Sequence, residues 1–74
     1  MMDADVVTIA GHRCERGSDA WSALTAARWY RAAGLTAATV DGKAEYQLHS
    51  ANLMAMARRA PGYLGPADTE GRRV

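Results

Sequence analysis

The sequence predicts a small α+β domain, two helices packed on a single antiparallel β-hairpin in the order helix–hairpin–helix. Three observations lead there. Asp41-Gly42 is a hairpin signal, because a two-residue type I′ turn needs positive φ at both positions, which Gly adopts freely and Asp tolerates. Ser18-Asp19 reads as an N-cap pair ahead of an Ala-rich stretch, with Gly34 at the C′ position. Ser50 reads as a second N-cap, and Pro61 ends the helix that follows it.

Taken in order, residues 1–18 form an extended N-terminal arm with a short β-prone run at Val6 to Ile9. Residues 19–64 form the domain, and residues 65–74 a flexible C-terminal tail. The first helix covers Ala20 to Ala33; Ala20, Ala23, Leu24, Ala27 and Tyr30 share one flank, from which Trp21 and Trp29 diverge. In the hairpin, Val40 faces Lys43, Ala37 faces Tyr46 and Leu35 faces Leu48. That register collects Leu35, Ala37, Ala44, Tyr46 and Leu48 on one apolar face. The second helix runs from Ala51 to Ala60, with Leu53, Met56, Ala57 and Ala60 on its stripe.

Composition limits what this chain can be. Its 74 residues make one domain, and the 49% hydrophobic fraction overstates the core because sixteen of those residues are Ala. Nineteen large apolar or aromatic side chains remain once Ala and Cys14 are set aside. A core of this size rarely supplies more than ~3–5 kcal/mol. The lone Cys14 excludes an intrachain disulfide, so oligomerisation is the expected support. A formal net charge of +1 gives no bulk attraction to nucleic acid or membrane. No apolar run reaches the roughly 20 residues of a membrane span, and the acidic start MMDADVV is unlike a signal peptide. The expectation from these features is a chain in a cytoplasm or in a particle assembled there.

Catalytic and metal constellations are missing. His12, Cys14 and His49 are the soft-ligand side chains, and a structural zinc needs four. Cys14 lies between Arg13 and Arg16, whose charges would lower its pKa, but no base can be assigned to it. No cofactor is expected, and the chain reads as non-enzymatic. Arg28 and Arg31 with Arg58 and Arg59 could present a DNA-facing basic surface; the plainer reading is a solvated helix face or salt bridges to a neighbour. Trp21 divides evenly between core and interface, whereas Trp29 and Tyr63 lean to interface anchors.

The order of these segments resembles a known family. Thr39-Val40, the turn Asp41-Gly42-Lys43, Ala44-Glu45-Tyr46 and the helix start Ser50 to Leu53 match the phage lambda head-to-tail joining protein W family. Arg58-Arg59-Ala60-Pro61-Gly62-Tyr63 resembles that family's basic C-terminal segment. The resemblance spans roughly residues 20–64; the arm is longer and the second helix shorter than the family pattern. It implies a head–tail connector: a homo-oligomeric ring of twelve copies in the virion neck, between the portal protein and the next neck or tail protein, around a DNA channel. Interface candidates on this reading are Trp29, Arg58, Arg59, Pro61, Tyr63 and Leu64, with Arg28 and Arg31 facing DNA. The rival expectation is a small DNA-binding regulator using the Arg-bearing helices.

Overall fold

The computed structural model describes residues 5–67. The first strands form where residues are β-prone and the chain can turn tightly. β1 (Val6–Ile9) and β2 (His12–Glu15) pair antiparallel, with Ile9 opposite His12 and Val7 opposite Cys14. Ala10 and Gly11 link them with φ of 54° and 84°, the two positive values of a type I′ turn. Alternation along the strands buries Ile9 and Cys14 while Thr8, Arg13 and Glu15 face solvent.

The first helix, α1, runs Asp19–Thr36. The Ser18 hydroxyl caps it, accepting from the Trp21 N–H at 3.2 Å and donating to Glu15 O at 2.6 Å. Ser18 is the predicted cap, but Gly34 is not the stop. The helix continues to Thr36, and the Ala37 N–H closes it on Gly34 O at 3.4 Å. Gly34 is instead a contact glycine: a Cβ there would lie 3.2 Å from Tyr46 Cβ, so its bareness brings the next helix close.

The second helix, α2 (Val40–Ala57), overturns the predicted hairpin. Asp41 and Gly42 lie in its first turn, not in a β-turn, and Ser50 sits mid-helix. Thr39 is the N-cap, its Oγ1 accepting from the Gly42 N–H at 2.9 Å, and Asp41 suits the positive end of the helix dipole. The physical reason is propensity summed over length. From Val40 to Ala57 the chain is mostly Ala, Leu, Met, Lys, Glu and Gln, good helix formers, with one Gly and no Pro. Against that sum, one Asp-Gly pair and a short alternation carry little weight. Ser50 joins the helices by donating to Ala27 O at 2.9 Å.

After α2 the chain turns through Arg58 to Gly62 and returns as β3 (Tyr63–Pro66), antiparallel to β2, with a register shift at Arg13/Cys14. The sheet order is β1-β2-β3, so the hairpin lies in the predicted N-terminal arm, ahead of both helices, and the third strand follows them. The fold is α+β, as predicted. The predicted tail boundary at residue 65 falls inside β3, and residues 68–74 lie outside the described region.

The sheet covers one face of the helical pair. Ile9, Cys14, Ala20, Ala23, Leu24 and Ala57 form the buried cluster, with Val7, Trp21, Met54, Ala60 and Tyr63 packed against it. Trp21, half-buried here, belongs to this cluster. Of the buried apolar side chains in the described region, only Ile9 and Leu24 are larger than Cys. Gly62 closes the structure: its φ is +93°, and a Cβ would run into the Cβ and Oγ of Ser18. Gly11 has a comparable φ of +84° but open space around it. Replacement Gly62→Ala is therefore expected to destabilise by about 2 kcal/mol or more beyond Gly11→Ala, whose cost is the positive φ alone at about 1–2 kcal/mol. Thermal or urea unfolding of the two variants beside the parent checks the difference.

Candidate functional site

The helices are longer than the sheet that covers them. At 18 residues each helix extends about 27 Å, whereas four-residue strands reach about 13 Å. The sheet covers the beginning of α1 and the end of α2, because the Ala20 N–H bonds Pro61 O at 3.0 Å and Met54 and Ala57 pack in the core. The distal halves, from Ala27 through the connection to Ala51, project past the β1–β2 turn.

On the sheet side of this overhang lies an open cleft of about 450 Å³. Ala27, Gly34 and Met54 form its floor, Ala10 of the β-turn closes one end, and Arg28, Arg31, Leu35 and Gln47 stand around it. Among the described residues neither Arg28 nor Arg31 makes an ion pair. The distal halves also carry exposed aliphatic side chains: Leu35 is 77%, Val40 81% and Leu48 60% accessible. Val40, Ala44 and Leu48 recur every four residues and so follow one flank of α2.

Across the helical pair from the cleft is a second surface, built of aromatics. Trp29 meets Tyr30 edge to face, with ring centroids 5.2 Å apart, and is 62% exposed. Tyr30 continues to Tyr46 at 6.0 Å and to His49 at 5.0 Å. His49 Nε2 lies 3.9 Å from the Glu45 carboxylate one turn earlier on α2.

The sequence-predicted residues divide between these surfaces and the frame. Trp29 is exposed, as an interface residue must be. Pro61 and Tyr63 work within the chain: Pro61 O accepts from the Ala20 N–H, and the Tyr63 hydroxyl lies 2.9 Å from His12 Nδ1. Leu64 is exposed on the outer face of the sheet. Arg58 is the C-cap of α2, and its N–H and that of Arg59 bond Met54 O and Met56 O. Both arginines therefore lie near the start of α1, two to three turns from Arg28 and Arg31. The four do not form one basic surface. Met54 packs toward the core, whereas Met56, expected on the apolar stripe, is exposed.

Sequence reading missed Leu35 and Leu48 as exposed residues, because the hairpin register put both on its apolar face and gave the segment a period of two. The four-residue recurrence from Val40 was the signal that would have found them.

No group of three or more His, Cys, Asp or Glu side chains comes together in the described region, and no helix there is long and apolar enough to cross a membrane. Cys14 corrects its prediction: it is fully buried, and burial pushes its thiol up rather than Arg13 pulling it down. Strand alternation turns Arg13 to the opposite face. No family model, curated protein or solved structure matches the chain.

A thiol so placed reacts only when the structure opens. Alkylation of Cys14 by a small maleimide or disulfide reagent at neutral pH is expected to be about 100-fold slower or more in the native protein than in denaturant. The raised pKa also favours the fold while the thiol is protonated; that contribution is lost as pH rises through the folded-state value, so unfolding in alkali should ease more for the parent than for Cys14→Ala.

Proposed function

We propose that this chain is a non-enzymatic structural subunit that works by self-assembly, as a head–tail connector of a tailed phage or phage-like particle. One observation carries the self-assembly reading. Leu35, Val40 and Leu48 stand exposed on a helical overhang in a domain whose buried cluster has few large side chains. Leaving those aliphatics in water forfeits roughly 1.5–3 kcal/mol for each, and a neighbouring protein surface would recover it. Isolated surface leucines are ordinary, but Leu35 also lines the open cleft, and an exposed aliphatic side chain at an open apolar cleft is what an interface offers.

The particle setting and the copy number of twelve rest on the resemblance of residues 20–64 to the joining-protein family. The hairpin-first order differs from the fold that resemblance implied, so the support for this setting is sequence order alone. Within the reading, the overhang meets a neighbouring subunit, and the portal and next neck protein lie on either side of the ring. Arg28 and Arg31 are taken to face protein rather than DNA, since they border an apolar cleft and are separated from Arg58 and Arg59. A DNA-binding regulator would need those four on one face.

The test is mass measurement across concentration. Light scattering and native mass spectrometry should show association above the monomer as protein rises toward the millimolar range, and a discrete ring when purified portal is added. A chain that stays monomeric throughout and never joins a portal ring would sink the reading.

A further inference from the structure

The two surfaces of the helical pair are complementary to each other. The concave one is a cleft of about 450 Å³ with an apolar floor and two guanidinium groups, Arg28 and Arg31, that make no ion pair among the described residues. The convex one presents the exposed Trp29 indole, continued through Tyr30 and His49 to the carboxylate of Glu45, whose side chain is largely exposed. At 100° per residue, Arg28, Arg31 and Leu35 cluster on one side of α1, and Trp29 with Tyr30 and Ala33 on the other. The same division on α2 sets Gln47 and Ala51 against Glu45 and His49.

We infer that the cleft of one copy receives Trp29 and Glu45 of a neighbouring copy. Three matches argue for this occupant. An indole is a flat apolar group suited to a cleft floored by Ala27, Gly34 and Met54. Guanidinium groups beside the cleft stack on an aromatic face and pair with a carboxylate, the two groups the convex surface offers. Arg and Trp are also the residue types over-represented where interfaces concentrate their binding energy. Because donor and acceptor surfaces lie on opposite sides of one helical pair, the contact is heterologous. Each copy uses its cleft toward one neighbour and its aromatic knob toward the other. Such contacts propagate into a ring if the rotation closes and a filament if it does not. This inference rests on the self-assembly reading and assigns it an interface.

The experiment uses two variants of the full chain, each disabled on one side. Trp29→Ala with Glu45→Arg removes the knob and leaves the cleft; Arg28→Glu with Arg31→Glu spoils the cleft and leaves the knob. All four positions are exposed, so circular dichroism should show both variants folded. Each alone is expected to self-associate at least about tenfold more weakly than the parent. Mixed one to one, they retain one intact cleft and one intact knob, and native mass spectrometry should detect a heterodimer that grows no further. Parent-like association of both variants, or a mixture that stays monomeric, overturns the inference while leaving self-assembly standing. A parent chain that is itself monomeric at every concentration overturns both.

Discussion

One crossing holds the ends of this chain together. Pro61 and Gly62 lie across the junction between β2 and α1, where the Glu15 N–H bonds Gly62 O at 2.9 Å and the Ala20 N–H bonds Pro61 O at 3.0 Å. Ser18 sits at the centre, capping α1 with the same hydroxyl that bonds Glu15 O, and its side chain occupies the space a Cβ on Gly62 would need. Each bond is modest by itself, about 1 kcal/mol net. Their effect is geometric. They fix where α2 delivers β3, and β3 in turn gives β2 its second partner and places Tyr63 beside His12. A two-stranded hairpin of four-residue strands would be marginal in water, and the third strand with helix cover makes it a sheet.

The overhang follows from the same constraint. Tying α1's first turn to the chain after α2 anchors the helical pair at one end. The strands are too short to follow the helices to the other end, so the distal halves keep one another company and little else. Gly34 and Ser50 hold them close through a bare backbone approach and a hydroxyl bond to Ala27 O. Among the described residues, what remains uncovered is a cleft whose arginines make no ion pair on one side and an aromatic ridge on the other.

Legibility in the sequence tracked how local each determinant is. Ser18 as a cap, the start of α1 and the core positions Ala20, Ala23, Leu24 and Ala27 were readable, since capping and helical spacing are settled within a few residues. The Asp41-Gly42 reading failed because both residues also suit a first helical turn behind Thr39, and the eighteen residues of α2 together favour helix. The true hairpin turn, Ala10-Gly11, was hidden by Ala, which seldom adopts positive φ. Nothing local marks Tyr63–Pro66 as a strand; its partner lies some fifty residues earlier, and only the fold brings them together. The exposure of Trp29 was legible from its divergence from the helix's apolar flank, while the cleft opposite could not be seen until α2 was known to be a helix.

The fold depends on the closing junction, and amide hydrogen exchange at Glu15 and Ala20 reads that junction directly. Both amides should be protected as strongly as that of Leu24 in the core, because their acceptors are released only when the whole domain opens. Exchange of Glu15 and Ala20 at the rate of an unstructured peptide, with Leu24 still protected, would contradict it: the ends of the chain would then not be joined, and neither the third strand nor the overhang would follow.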